Sequence, residues 1–437
     1  MREQWPRLRH YIAQLATGGS WADSFSRTIR QNLRWFWFDG LFSAASDSIL
    51  LTYLVLYILA LGASRTQIGT MSALTSLSAA LMLLPGAMLA ERWKRRKLIT
   101  VIFGGTIARL FILSLIFLPF LYQNQSAVVI AIALSVSREA FANISLPAWV
   151  SLNADIVPLS WRGRYYASRN IIMGIAGMSI TLLVGVLITH TSKLSGYQLA
   201  LGLAFSLGML STYSFARIKE PSISIPVQPA TGFSIKIINT DFRAHPGFLI
   251  LCLTAALWNF SLNIAGPFFN VYLVQNLQSS ASMVGFLSII SSLSGLFVQR
   301  VFGTLSDRWG PRQVQLITGL LIPILPLAWT LVRSPWHVIP INLMSGILWA
   351  GYSLASFNFL LTFTPEDQRA RFTAVYQLIV TLALAAGAAI GGQIVTYWGY
   401  TAIFICSGVG RFSAALLFAR FVPHSLITTR PIMDTVI

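Results

Sequence analysis

Apolar stretches of roughly 20 residues, the length a helix needs to cross a bilayer core about 30 Å thick, recur along this chain, parted by short runs in which the charges collect. They fall near 36–60, 66–90, 97–121, 126–154, 165–190, 196–216, 246–275, 281–305, 313–333, 336–363, 370–396 and 399–421. The pattern predicts twelve crossings, six in each half. Ser, Asn and Gly interrupt the spans, which suits helices packed on one another, because small residues let backbones approach closely in lipid. A membrane barrel would alternate apolar and polar residues over about ten positions, and that pattern is absent. The expected fold is an all-α membrane protein with twelve transmembrane helices in two six-helix bundles.

The two halves are copies. Glu91-Arg92-Trp93-Lys94-Arg95-Arg96 recurs 216 residues later as Asp307-Arg308-Trp309-Gly310-Pro311-Arg312, and residues 69–96 laid over 285–312 give nine identities in 28 positions. A second pair, 158–164 and 365–371, shares Pro158 with Pro365, Arg162 with Arg369 and Arg164 with Arg371. Duplication inside an apolar chain points to transport. The boundaries expected are a basic segment at 1–35, bundles at 36–216 and 246–421, a Pro-containing linker at 217–245 and a tail at 422–437.

Composition sharpens this picture. Only 10% of the 437 residues are charged against 55% hydrophobic, which excludes an ordinary soluble domain. The net charge of +18 raises the question of nucleic acid, and its distribution answers it. Twenty-four Lys and Arg fall before the first span, after the even-numbered spans and after the last; Arg65, Lys193 and Arg333 occupy the opposite loops; Arg109, Arg138, Arg300 and Arg411 lie inside spans. By the positive-inside rule both termini and the linker are cytoplasmic. The expected partners are a small-molecule substrate, protons and the lipid bilayer, without nucleic acid, and the chain is expected to be a monomer in the plasma membrane, a bacterial cytoplasmic membrane. Arg2, Arg7, Arg9, Arg27, Arg30 and Arg34, with Trp5 and Trp21, suit an anionic membrane surface as well as a cytoplasmic tail. Cys252 and Cys406 both sit in spans, so no disulfide framework is implied.

On these motifs the chain resembles the major facilitator superfamily, whose loop signature G-x-x-x-D-R-x-G-R-R joins helices 2 and 3 and returns more weakly between helices 8 and 9. The second copy here, with Gly303, Asp307, Arg308, Gly310 and Arg312, fits better than the first, where Ala87, Glu91 and Lys94 replace a glycine, the aspartate and the inner glycine. Asp155 and Arg162 resemble the family's acid-x6-Arg element after the fourth span. The resemblance implies secondary transport by alternating access, with helices 1, 4, 7 and 10 lining a central cavity.

Glu91 and Asp307 each close a span and are followed by arginines. A carboxylate there can pair with an arginine and with the positive end of a neighbouring helix. The resemblance makes that neighbour helix 11 near Arg371 for Glu91, and helix 5 near Arg164 for Asp307. Glu91, Arg92, Arg96, Asp155, Arg162, Arg164, Asp307, Arg308, Arg312, Arg369 and Arg371 are thus the candidate cytoplasmic gate. The plainer reading is a set of charges that fixes topology.

Counting at 1.5 Å per residue brings Asp47, Arg109, Arg138 and Glu139 to one depth near the bilayer midplane. A charge there costs roughly 2.5–3.5 kcal/mol on insertion scales, so two acids and two bases at one level are expected to neutralise one another. They are the candidates for proton coupling or substrate binding; the competing reading is a static pair such as Arg109 with Glu139. Arg138 and Glu139 leave the helix about 100° apart, so both cannot face one cavity squarely. The second half offers amides instead: Asn259, Asn263 and Asn270 share a face around Gly266-Pro267, which can interrupt the helix. Trp258, Trp349, Tyr352 and Asn358 complete the candidate cavity lining. Arg300 is expected to snorkel, and Arg411 has no evident partner.

No phosphate loop, metal cluster or nucleophile triad stands out, so neither an enzyme nor a cofactor or metal site is expected. A proton-coupled exporter of amphipathic compounds competes with an importer of a polar nutrient (sugar, amino acid or organic anion) and, more remotely, with a non-transporting sensor or scaffold.

Overall fold

The computed structural model describes residues 25–158, 161–191, 193–220, 246–363 and 369–422, with the side chains of 193, 357–358, 360–363 and 369–371 set aside. Arg2, Trp5, Arg7, Arg9 and Trp21 lie outside the described residues, as do the linker prolines and the tail past Val422. Among the described residues the structure is helical throughout, without strands.

Eleven helical stretches are long and apolar enough to cross a membrane. They are α1 Arg27–Ala60, α2 Arg65–Trp93, α3 Arg96–Leu121, α4 Asn124–Ile156, α5 Arg162–His190, α6 Lys193–Ala216, α7 Pro246–Gln275, α8 Ala281–Trp309, α9 Pro311–Trp329 and α10 Val338–Phe363, followed by one continuous stretch, Arg369–Phe421. That last stretch is two helices joined at Gly399, whose φ of 80° and ψ of −177° are not helical; α11 is residues 369–398 and α12 residues 400–421. Eleven stretches therefore carry the twelve helices that the apolar pattern predicts.

Local chemistry sets the ends. Ser64 caps α2 reciprocally, its hydroxyl accepting from the Gln67 backbone and the Gln67 side chain accepting from the Ser64 backbone, which satisfies two donors a helix start otherwise orphans. Ser26 starts α1 at Arg27, well before the apolar run, so Arg27, Arg30 and Arg34 ride on the first helix. In α7, Gly266–Phe268 is a 3-10 turn between two α-helical parts; Pro267 has no N–H to donate, and the helix breaks where the sequence predicted. In α3, Thr100–Ile107 is a π-helical segment, which nothing in the apolar pattern foretold.

Packing divides the chain into two compact units, one formed by the described part of Met1–Phe233 with Phe269–Ile289, the other by Ser234–Phe268 and Ile290–Ile437. In the first, α1 packs on α5 and α6, α2 on α4, and α3 on α4 and α6. An aromatic cluster closes one end of it: Leu33, Phe36, Trp37, Leu152, Ile156, Tyr165 and Phe215 are buried together. Tyrosine hydroxyls reach backbone carbonyls across helices, Tyr53 to Thr181, Tyr57 to Leu115 and Tyr165 to Leu33, each at 2.6 Å, so these buried O–H groups are satisfied. In the second unit α7 packs on α11–α12 and α9 on α10.

Candidate functional site

The first unit holds three acid–arginine pairs inside its helices. Asp47 on α1 accepts from Arg109 Nη1 on α3 at 3.1 Å. The same nitrogen donates to Ser46 Oγ at 3.1 Å, and Ser46 in turn donates to the Ala204 carbonyl of α6 at 2.7 Å. Glu139 and Arg138, neighbours on α4, meet at 2.6 Å. The long arginine chain bends back across the helix surface, so two residues that leave the backbone in different directions still pair. Asn143, one turn on, donates to Glu139 Oε1 at 3.2 Å and to the Glu139 carbonyl at 2.9 Å. The pairing of the four predicted midplane groups is thus Asp47 with Arg109 and Glu139 with Arg138, not Arg109 with Glu139.

The third pair was not among the midplane candidates. Asp39 on α1 sits 3.4 Å from Arg169 Nη2 on α5 and accepts from Ser211 Oγ of α6 at 2.7 Å. Arg169 Nε donates to the Phe36 carbonyl at 3.1 Å, and its guanidinium lies 4.1 Å over the Phe36 ring. By sequence Arg169 counts, with Arg162 and Arg164, among the charges that follow the fourth span; the structure corrects that placement, because α5 starts at Arg162 and carries Arg169 two turns inward, where it is 4% exposed. The one available clue was Asp39 itself, an acid beside Gly40 in an apolar aromatic run. A Cβ at Gly40 would lie 2.6 Å from Arg169 Nε, so the glycine makes the room that the guanidinium fills.

Exposure separates the pairs. The carboxylate side chains of Asp47 and Glu139 are 57% and 32% exposed, that of Asp39 only 7%. The first two can exchange protons or touch a ligand, whereas Asp39 and Arg169 are sealed between α1, α5 and α6.

The signature arginines bind within their own units. Arg96 at the start of α3 reaches Asp155 at 2.6 Å, Ser151 at 3.0 Å and Glu220 at 3.3 Å, and Lys97 donates to the Ala216 and Ile218 carbonyls past the end of α6. Its repeat partner Arg312, at the start of α9, donates to the Ala419 and Val422 carbonyls at the end of α12. In both copies the last arginine thus fastens the third helix to the end of the sixth, where carbonyls lack helical partners. Arg162 donates to the Ala154 and Val157 carbonyls that end α4. Arg164 lies over Trp161 at 4.7 Å. Glu91, Arg92, Asp307 and Arg308 are exposed, and among the described residues Glu91 and Asp307 have no hydrogen-bond or ion-pair partner. The side chains of Arg369 and Arg371 lie outside the described residues.

In the second unit, Asn259 donates to the Ala255 carbonyl one turn back on α7, and Asn263 donates to the Leu384 carbonyl of α11, both at 2.8 Å. Their amides therefore serve helix continuity and packing in this conformation. Asn270 is half-buried and belongs with the first unit. Trp258 is buried and stacked on Tyr352, with ring centroids 4.6 Å apart and 14° between planes; Trp349 stands edge-on to Tyr352 at 5.5 Å. Trp349 also lines an open hollow of about 520 Å³ between α8 and α10. The Asn358 side chain lies outside the described residues. Arg300 is exposed on α8, and among the described residues no group of His, Cys, Asp and Glu is placed to hold a metal.

The family model of the Major Facilitator Superfamily matches residues 36–264 and 251–431. The chain belongs to the Major Facilitator Superfamily. It is 25% identical over 390 residues to the multi-drug resistance efflux pump PmrA of Streptococcus pneumoniae, a match spanning 87% of this chain and 93% of the relative. Solved structures share its fold: the nucleoside transporter NupG at 15% identity, TM-score 0.67 over 90% of this chain and 98% of that one, and a D-xylose–proton symporter at 13%, TM-score 0.68 over 89% and 97%. Like other members of the superfamily, this multi-pass helical membrane protein is a transporter of small molecules. The superfamily signature accounts for the turns after α2 and α8.

Proposed function

We propose that the protein is a proton-coupled exporter of amphipathic compounds working by alternating access, with its termini in the cytoplasm. The observation that carries this is the pairing of two solvent-reachable carboxylates, the exposed Asp47 and the half-buried Glu139, each with an arginine inside the first unit. An acid that loses its arginine becomes easier to protonate, and one that regains it becomes easier to ionise, so a conformational change that alters either pair moves a proton. The similarity along most of the chain to a multidrug efflux pump supports export.

Everted vesicles test it. With an amphipathic dye as substrate, an imposed proton gradient drives uptake into the vesicles, and Asp47→Asn or Glu139→Gln lowers that uptake at least tenfold at equal expression. Uptake indifferent to the gradient removes proton coupling, and accumulation of a sugar or amino acid in right-side-out vesicles instead of dye movement favours import. Glu91 and Asp307 are proposed as gate acids. Asp307→Asn then changes transport rate and the accessibility of engineered cysteines to thiol reagents, with expression intact; unchanged accessibility in both directions removes the gate.

A further inference from the structure

In the first unit α1 and α6 run antiparallel, and the contacts between them fix their register. Asn32 exchanges two hydrogen bonds with the Lys219 backbone, at 2.8 and 2.9 Å. Trp35 meets Tyr213 edge-on with ring centroids 6.1 Å apart. Further in, Asp39 accepts from Ser211, and Ser46 donates to the Ala204 carbonyl. Numbers on α6 fall as those on α1 rise, so Arg34 of α1 stands level with Arg217, the first residue past the end of α6. Both arginines are exposed.

Apolar and aromatic surface adjoins this level on the side of the span. Phe38 follows Arg34 by one turn on the same side of α1, and Phe42 stacks on it with centroids 6.3 Å apart. On α6, Leu210, Tyr213 and Arg217 are all exposed at spacings of three and four, again one side of a helix. Arg217 donates to the Tyr213 hydroxyl and lies 4.9 Å over its ring. Trp35 touches both Tyr213 and Phe38, so the two stripes form one continuous face. No acid offsets its charge: Asp39 is turned inward to Arg169, and Glu220 is held by Arg96. Among the described residues neither Arg34 nor Arg217 has a carboxylate partner. Each guanidinium keeps its charge at any physiological pH. In a bilayer such a face meets lipid: aromatic rings sit at headgroup level, and the guanidinium fork matches phosphate oxygens.

We propose that this face of α1 and α6 is a seat for an anionic phospholipid, its headgroup set between Arg34 and Arg217 and its acyl chains lying on Phe38, Phe42 and Leu210. Charge complementarity selects the anionic class, since a zwitterionic headgroup brings its own cation toward two arginines. The seat shares no residue with the Asp47–Arg109 and Glu139–Arg138 pairs and is independent of proton coupling.

The test uses the purified full-length chain in an uncharged detergent at constant ionic strength. Phosphatidylglycerol, phosphatidylcholine or inorganic phosphate is titrated in while thermal unfolding is followed, since a ligand that binds the folded state raises Tm saturably. The expected result is a saturable rise with phosphatidylglycerol, a clearly weaker one with phosphatidylcholine and none with inorganic phosphate. Arg34→Gln and Arg217→Gln each raise the half-saturating phosphatidylglycerol concentration about fivefold, the share of one basic residue at an anionic surface, and Arg34→Lys retains most of the response. Arg420→Gln, at an exposed arginine near the end of α12, leaves it unchanged and so separates a seat from general surface charge. Equal stabilisation by the two lipids overturns the proposal, as does a response to inorganic phosphate as strong as to phosphatidylglycerol. A loss shared equally by all three arginines also overturns it, and so does no loss in Arg34→Gln and Arg217→Gln. Since the readout needs no proton gradient and no transport, a failed efflux assay leaves it standing.

Discussion

At the scale of single residues, the duplicated turn shows how one backbone task is met by different side chains. Lys94 and Gly310 occupy equivalent places and both have positive φ, 50° and 81°. Lys94 closes α2 in the left-handed region with ψ of 20°, a conformation that L residues adopt singly. Gly310, with ψ of 151°, sits where a side chain is strained. The expected outcome is asymmetric. Gly310→Ala lowers stability by about 1–3 kcal/mol, whereas Lys94→Gly is neutral or stabilising by up to about 1 kcal/mol, both read from thermal unfolding in detergent. The Asp39–Arg169 pair makes a second residue-scale prediction. Arg169→Leu leaves Asp39 without its cation and costs about 3–5 kcal/mol, while replacing both residues with apolar ones recovers most of that loss. A double variant as unstable as the single one would show that the pair supplies more than mutual neutralisation.

At the scale of elements, the charged signature works as a fastening inside each unit. Arg96 and Arg312 tie the start of the third helix to the end of the sixth in their respective repeats, and the partners differ: carboxylates and a hydroxyl for Arg96, backbone carbonyls for Arg312. Arg312→Gln should therefore free the end of α12, read as faster amide hydrogen exchange over residues 414–421 with little change in α7. Protection left unaltered there would mean that apolar packing alone holds this end. The helices themselves were legible, because a span must be long and apolar and Gly266-Pro267 must disturb α7. The pairings were not. Depth along a helix follows from counting residues, but azimuth does not follow once a segment such as Thr100–Ile107 winds as a π-helix just before Arg109.

At the scale of the whole molecule, the asymmetry between the repeats is the informative feature: the first unit holds acid–arginine pairs, while among the described residues of the second the buried Arg411 bonds a backbone carbonyl and no acid. The proposed orientation makes its own prediction. With Cys252 and Cys406 replaced, Ser334→Cys is labelled by an impermeant maleimide in intact cells, and Arg95→Cys is labelled only after permeabilisation; the reverse pattern overturns the proposed orientation. The sequence by itself determined the duplication, the helix positions and the family, because membrane spans are dictated by local apolarity and the signature is contiguous. It also supplied Asp47, Arg109, Arg138 and Glu139 as a set of acids and bases expected at one depth. Only the tertiary structure decided who pairs with whom: Asp47 with Arg109, Glu139 with its own neighbour, Asp39 with an arginine that had looked like a loop charge. The physical reason is that an ion pair inside a membrane protein depends on helix rotation and on the room left by residues such as Gly40, and these are set by packing between segments far apart in the chain.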